Sequence, residues 1–194
     1  MITVLLDSSN TKLTVGLSKE KEIIDFVSYE AWQQQSEFMV DELNKLMDKH
    51  NFTRNDIKDI VVSVGPGSYT GVRIAITIAK VMALALSIPV YEISSLRVLK
   101  DDNKESICLI NARSGRSYFG VYQGEKIILG DQIKTNEEVL SYIKEHPNYS
   151  IMGDVKYLNL DSRDSNICKQ MILLKDYLKP SQDCLSIKPV YMKD

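Results

Sequence analysis

A glycine-rich loop between an apolar strand and a helix carries the residues best suited to chemistry. Gly65 and Gly67 frame this loop, and Ser68, Thr70 and Arg73 follow them. Glycines let backbone N–H groups approach an anion at the N-terminus of a helix, where the helix dipole favours negative charge. The two hydroxyls and the guanidinium would add further donors. The same glycines also suit a plain strand-to-helix turn with one positive φ, so a phosphate site and a structural turn fit the pattern equally.

Two common phosphate-binding motifs do not match the loop. A P-loop would place a lysine directly after Gly71, where this chain has Val72. The dinucleotide-binding fingerprint would place its third glycine one residue earlier, where the chain has Thr70. The spacing therefore argues against a P-loop nucleotide site and against a dinucleotide site.

Residue types that carry metal or nucleophilic catalysis are sparse. The two histidines, His50 and His146, are far apart, and the sequence holds no HxxxH or HExxH pair. The three cysteines are widely spaced and form no CxxC pair, which predicts a reduced cytoplasmic protein. A Ser/His/Asp or Cys/His set is not evident either. We predict no catalytic residue and no metal site in this chain.

An α/β framework must position the loop, and hydrophobic periodicity predicts one in the first half of the chain. The pattern indicates an antiparallel meander, followed by helices that alternate with strands in parallel pairing. The predicted strands are 2–6, 13–17, 23–29, 60–64 and 89–93, and the predicted helices are 31–49 and about 70–86.

A polar stretch without periodicity, 101–105, predicts a boundary between a first subdomain, 1–100, and a smaller second one, 101–194. The second half also opens with hairpin strands. Its predicted strands are 106–112, 117–122, 126–129 and 149–152, its predicted helices are 135–144 and 166–178, and its extended tail is free to pack back on the first subdomain.

Composition narrows the class of protein. The chain has 194 residues and a net charge of −2. This composition does not resemble that of a protein that binds RNA on its own through a strongly basic surface. The longest apolar helical stretch is interrupted by Lys80, so we predict no membrane-spanning segment. A cytoplasmic globular protein is expected.

Several motifs together resemble the TsaB (YeaZ) family. The run GPGSYTGVRI (65–74), followed by a small-residue helix and IPVYEISSL (88–96), resembles the family's GPGSFTGxR, helix and strand ending in SSL or STL. The opening Asp7-Ser8-Ser9 resembles the family's DTS turn. The resemblance spans nearly the whole chain.

Three positions depart from the family pattern. Gln35 stands where the family has a histidine, Asn111 where it has an aspartate, and Lys193 where it has a terminal arginine. These departures bear on any chemistry at those positions more than on the fold.

The resemblance implies an actin-like (ASKHA, RNase H-like) α/β fold of two related subdomains with mixed sheets. It implies a non-catalytic partner or activator of a TsaD-type threonylcarbamoyl transferase, which a TsaE-type ATPase would join. The complex would modify the adenosine beside the anticodon of tRNAs that read codons beginning with A, and the tRNA would be reached through the complex. The chain would also be able to form a homodimer. The alternative is an independent actin-fold ATPase or small-molecule kinase that uses Asp7 and the 65–71 loop.

The first hairpin turn binds phosphate in actin-like folds. The resemblance therefore makes Asp7, Ser8 and Ser9 candidates for a weak ATP or ADP site, with Asp7 on a magnesium-bound water. A plain Asx turn fits the same residues, and we expect no required cofactor.

The resemblance also implies pairing through the first two helices. The 31–49 helix has more apolar residues than one buried stripe needs, which by itself fits a core helix and an interface equally. The resemblance favours the interface, with candidate residues Trp32, Ser36, Met39, Val40, Leu43, Ile74 and Ile78.

Overall fold

The computed structural model describes residues 1–31 and 34–192, and of Gln35 the backbone alone. A first sheet contains β1 (Ile2–Asp7), β2 (Lys12–Lys19), β3 (Glu22–Glu30), β4 (Ile57–Ser63) and β5 (Val90–Ile93). Helices α1 (Gln35–Lys49) and α2 (Tyr69–Leu86) belong to this half. The second half contains β6 (Ser106–Arg113), β7 (Arg116–Gln123), β8 (Lys126–Thr135), α3 (Asn136–Glu145), β9 (Ser150–Gly153) and α4 (Ile167–Lys175).

The first sheet has the strand order β3-β2-β1-β4-β5. The first three strands form an antiparallel meander, and β4 and β5 run parallel to β1 through helical crossovers. All six residues of β1 are buried, as expected for a central strand with both faces covered. The end of β1 and the end of β4 therefore lie side by side, which brings the first hairpin turn next to the glycine-rich loop.

Helices cover both faces of this sheet, and the side chains of β1 alternate between the two layers. Val4 and Leu6 pack in the core under α1 and α2, whereas Leu5 packs against α4 on the opposite face. The α4 layer lies close, because a Cβ added at Gly16 on β2 would be 2.6 Å from Sγ of Cys168. The first subdomain is a three-layer α/β unit.

The second sheet repeats the topology of the first with one strand fewer. Its order is β8-β7-β6-β9, in which β6, β7 and β8 form an antiparallel meander and β9 returns parallel to β6 after α3. Two related subdomains with mixed sheets are what the actin-like resemblance implied, and this prediction of the fold class is confirmed.

The last helix does not stay with the second sheet. After β9 the chain returns to the first subdomain, where α4 packs on β1, β2 and β3. The buried ammonium of Lys100, in the segment that links the two sheets, donates to Oε1 of Gln170 on α4 at 2.6 Å. Residue 100 therefore lies between the sheets, but residues from 167 onward pack with the first of them.

Several predicted element bounds are corrected. β4 begins at Ile57 rather than at residue 60. α1 begins at Gln35 rather than at residue 31, because the Ala31 N–H still donates to Thr11 O at the end of the β2–β3 ladder. β8 continues past Gly130 to Thr135. Its pairing with β7 shifts register between Phe119 and Val121, which accommodates one extra residue of β8 near Gly130. α4 ends at Lys175 rather than at residue 178.

Helix α2 contains the apolar stretch that Lys80 interrupts. By length and composition alone its 18 residues could cross a membrane, a test that the core helices of soluble proteins also pass, and 33% of the residues are buried. One lysine does not offset the hydropathy of the remaining residues. Its buried side holds small and branched residues that pack against the first sheet: Gly71, Val72, Ala75, Ile76, Ala79 and Ala83.

Candidate functional site

The glycine-rich loop packs directly on the first hairpin turn. The N–H of Ser68 donates to Ser9 O at 2.7 Å. A Cβ added at Gly67 would be 2.1 Å from that same oxygen, and one added at Gly71 would be 1.8 Å from Ser8 O. Glycine is needed at both positions because the backbone of the first turn occupies the space that a side chain would fill.

The positive φ that a strand-to-helix turn would need is at Gly65, where φ is +105°. Gly65 is bonded on both sides, since its N–H donates to Oγ of Ser95 at 3.0 Å and its carbonyl accepts from the Ser95 N–H at 2.9 Å. A Cβ there would lie 2.8 Å from Val190 O. The structural-turn interpretation therefore accounts for each glycine of the loop.

The side chains of the first turn are buried and bonded within the protein. Oγ of Ser8 donates to Gly71 O at 2.7 Å, and Oγ of Ser9 donates to Oδ1 of Asp7 at 2.8 Å. Burial raises the pKa of Asp7 above its ordinary value, against the opposing effect of its hydrogen bonds. The hydroxyls of Ser8 and Ser9 would have to leave these partners in order to hold a phosphate.

A cleft of about 660 Å³ opens between the two subdomains beside this turn. Its walls come from the first hairpin turn, the N-terminus of α2 and the β6–β7 hairpin, and include Asn10, Thr11, Ser68, Thr70, Asn111, Arg113 and Tyr118. Of the predicted phosphate-binding residues, Gly67, Ser68 and Thr70 line this cleft. Weak nucleotide binding stays a prediction that rests on these residues.

Magnesium at the first turn would need oxygen ligands from the protein. Over residues 1–31 and 34–192, no group of three or more His, Cys, Asp or Glu side chains is placed to hold a metal ion. Asp7 is 2% exposed and its Oδ1 accepts from Ser9. Magnesium binding at Asp7 stays a prediction.

A second, apolar depression of about 410 Å³ lies between α1 and α2 and is called the helix groove below. Its lining residues are Ser36, Val40, Tyr69, Thr70, Arg73, Ile74, Thr77 and Ile78. Four of the predicted interface residues, Ser36, Val40, Ile74 and Ile78, are thus brought together on one surface. Val40 is 44% exposed and Tyr69 57% exposed, so the groove presents apolar side chains to solvent.

Two of the other predicted interface residues lie elsewhere. Met39 is 0% and Leu43 5% exposed, and both belong to the core between α1 and the first sheet. Together with Leu46 these residues form the stripe of α1 that packs on the first sheet, so they are not available on the outer surface. Trp32 and Lys193 lie outside the described residues, as does the side chain of Gln35.

One groove residue, Tyr69, was not predicted from the sequence, whereas Thr77 was predicted among the small residues of the second helix that permit close helix approach. Tyr69 and Thr77 line the groove beside Arg73, and the three recur at a spacing of four residues along α2. That spacing on one helical face was a usable signal. The contact of Tyr191 with this region, described below, had no local sequence signal, because Tyr191 is 118 residues from Arg73.

Comparisons with known proteins match a family model named for TsaD and relatives named TsaB. The family model "TsaD: tRNA N6-adenosine threonylcarbamoyltransferase" matches residues 26–161. The tRNA threonylcarbamoyladenosine biosynthesis protein TsaB of Bacillus subtilis is 33% identical over 72% of this chain. The chain spans 62% of the length of that relative. TsaB of Buchnera aphidicola subsp. Schizaphis graminum is 30% identical over 74% of this chain and 69% of its own length.

A solved structure shares the fold. YeaZ from Pseudomonas aeruginosa superimposes with a TM-score of 0.84 over 98% of this chain and 99% of its own, at 20% sequence identity. The similarity extends over both sheets and the returning helix α4.

Proposed function

The chain belongs to the TsaB (YeaZ) family, and on this basis we propose that it is a non-catalytic partner subunit in the biosynthesis of threonylcarbamoyladenosine on tRNA. In this role it binds a TsaD-type transferase and stabilises the productive conformation of that enzyme. A TsaE-type ATPase joins the pair, and the tRNA is reached through the complex. The protein contributes no nucleophile of its own.

The helix groove is the observation that carries this proposal. Single exposed apolar side chains are common on protein surfaces, but here Val40 and Tyr69 are exposed together with Ile74 and Ile78 along one groove. Contiguous exposed apolar surface bordered by polar residues marks interaction sites. A TsaD-type subunit would cover this surface, and a homodimer formed through the same surface would compete with it.

The first hairpin turn supports the same proposal over the ATPase alternative. Asp7 is buried, and Ser8 and Ser9 donate to protein acceptors. An actin-fold kinase or ATPase would need these groups free to hold phosphate and magnesium.

The test is charge placed in the groove. Burying an unpaired carboxylate costs several kcal/mol, so Val40→Glu should abolish binding to the TsaD-type subunit of the same organism while the variant stays folded. Leu173→Glu is the matched control, because Leu173 is also 44% exposed but lies on α4, across the first sheet. Calorimetry reports binding, light scattering reports self-association, and circular dichroism reports folding.

Native affinity of a folded Val40→Glu variant would place the interface elsewhere. Equal loss in the Leu173→Glu variant would point to a general effect of added charge and would also contradict the proposed surface.

A further inference from the structure

The C-terminal segment, residues 187–191, is held against the glycine-rich loop. Ile187 is 1% exposed and belongs to the core under α2. The Val190 N–H donates to Val64 O at 2.7 Å, and Val190 O lies against Gly65. These contacts fix the segment on the first subdomain and bring Tyr191 to the N-terminal turn of α2.

At this position Tyr191 forms a cluster with two residues of α2, Tyr69 and Arg73. The rings of Tyr191 and Tyr69 stack with their centroids 5.1 Å apart and an angle of 22° between their planes. Arg73 donates from Nε to the hydroxyl of Tyr191 at 2.7 Å, and its guanidinium carbon lies 4.1 Å from the centroid of Tyr69. A hydrogen bond and a cation–π contact therefore hold the guanidinium in one orientation.

This cluster lies at the border of the helix groove. Tyr69 and Arg73 line the groove, whose other side chains include Val40, Ile74 and Ile78. Arg73 is the charged residue among the groove's lining. Tyrosine and arginine are among the residue types enriched at binding hot spots, and ordering them beforehand reduces the entropy lost on binding.

We propose that residues 187–191 form a third element of the docking surface, and that Tyr191 positions Arg73 to pair with a carboxylate of the docked partner. The proposal rests on the proposed function, since the partner is the TsaD-type subunit. The chemistry expected of that subunit is an apolar helical face with an aspartate or glutamate at its edge. A planar guanidinium suits this role because it binds a carboxylate through two parallel hydrogen bonds.

Three variants separate the parts of the cluster. Arg73→Gln removes the charge, Tyr191→Ala removes the ring and the hydroxyl, and Tyr191→Phe removes the hydroxyl alone. We expect the first two to weaken binding of the TsaD-type subunit by about tenfold or more, as for an interface hot spot, and Tyr191→Phe to weaken it less. The matched control is Tyr177→Ala, since Tyr177 is 61% exposed just beyond α4.

Salt dependence distinguishes charge pairing from a structural role. The affinity of the wild-type chain should fall as sodium chloride rises, and Arg73→Gln should show a shallower dependence. Tyr191→Ala should also lower the salt dependence, because an unheld guanidinium pairs less well. Melting temperatures identify any variant that loses affinity through unfolding.

The outcomes separate this inference from the proposal on which it rests. If the wild-type chain does not bind the TsaD-type subunit, both fall together. If the wild-type chain binds and Val40→Glu does not, but Arg73→Gln retains native affinity and salt dependence, the docking surface stands and the role of the cluster is wrong. Loss of affinity in Tyr177→Ala equal to that in Tyr191→Ala would also overturn it.

Discussion

At the scale of single residues, Gly67 and Gly71 are required by close contact with the neighbouring turn. A Cβ at either position would come within about 2 Å of a carbonyl oxygen of Ser9 or Ser8, a separation that van der Waals contact does not allow. Backbone on both sides leaves no flexible side chain to move away. Gly65 differs, because its φ of +105° adds a torsional requirement.

We therefore expect Gly67→Val to destabilise the protein far more than Ser68→Ala. The valine side chain would force the loop away from the first turn, an overpacking cost of about 3 kcal/mol or more. Ser68 accepts from the Gly71 N–H as the N-cap of α2, and losing this cap costs about 1 kcal/mol. Urea denaturation measures both. Gly130→Val is the control, since a Cβ at Gly130 has its nearest neighbour at 4.0 Å, and equal midpoints for Gly67→Val and Gly130→Val would contradict the close packing.

At the scale of elements, α4 is joined to the first sheet by a buried ion pair as well as by apolar packing. Nζ of Lys175 contacts Oδ2 of Asp59 on β4 and donates to Oγ1 of Thr3 on β1 at 3.2 Å. The ammonium also lies 4.9 Å from the ring centroid of Tyr91 on β5. The side chains of Lys175 and Asp59 are 15% and 9% exposed, so each ion depends on the other for its compensation.

Removing one ion should cost more than removing both. Lys175→Met leaves Asp59 buried without its cation, and we expect it to lower the free energy of unfolding by about 3–5 kcal/mol. The double variant Lys175→Met, Asp59→Leu should recover most of that loss, because apolar side chains of similar volume can replace a buried pair. Chemical denaturation of the two single variants and the double variant forms a complete cycle. An additive double variant would show that the pair is not coupled.

At the scale of the whole molecule, the two subdomains repeat one topology, and a cleft opens between them beside the first hairpin turn. The cleft between the sheets is lined by both polar and apolar side chains, among them Asn111 and Ile110. The 65–71 loop packs on this turn, where the Ser68 N–H donates to Ser9 O. The fold by itself does not set the function, which depends on the chemistry of the site.

We expect the isolated chain to have negligible ATPase activity and no threonylcarbamoyl-transfer activity. Phosphate release from ATP with magnesium should stay at background, and Asp7→Ala should give the same result, because Asp7 is buried and bonded to Ser9. Turnover by the wild-type chain that disappears in Asp7→Ala would overturn the partner-subunit proposal in favour of an enzyme.

The order and type of the elements were accessible from the sequence because they depend on local patterns. The apolar run of β1, the alternation in β2 and the helical spacing in α1 each reflect burial on one or two faces. The element bounds were less accessible. The start of α1 depends on the pairing of Ala31 with Thr11, and the length of β8 depends on a register shift opposite β7, which are contacts between segments.

The candidate site, like the elements, was accessible from the sequence only in part. The sequence by itself determined the glycine-rich loop, the resemblance to the TsaB family and the absence of histidine pairs or a P-loop lysine, since these are facts of residue type and spacing. Only the tertiary structure decided that Met39 and Leu43 face the core while Val40 faces solvent. It also decided that Tyr191 meets Arg73. The physical reason is that residue type sets what a side chain can do, whereas burial and partners are set by which segments the fold brings into contact.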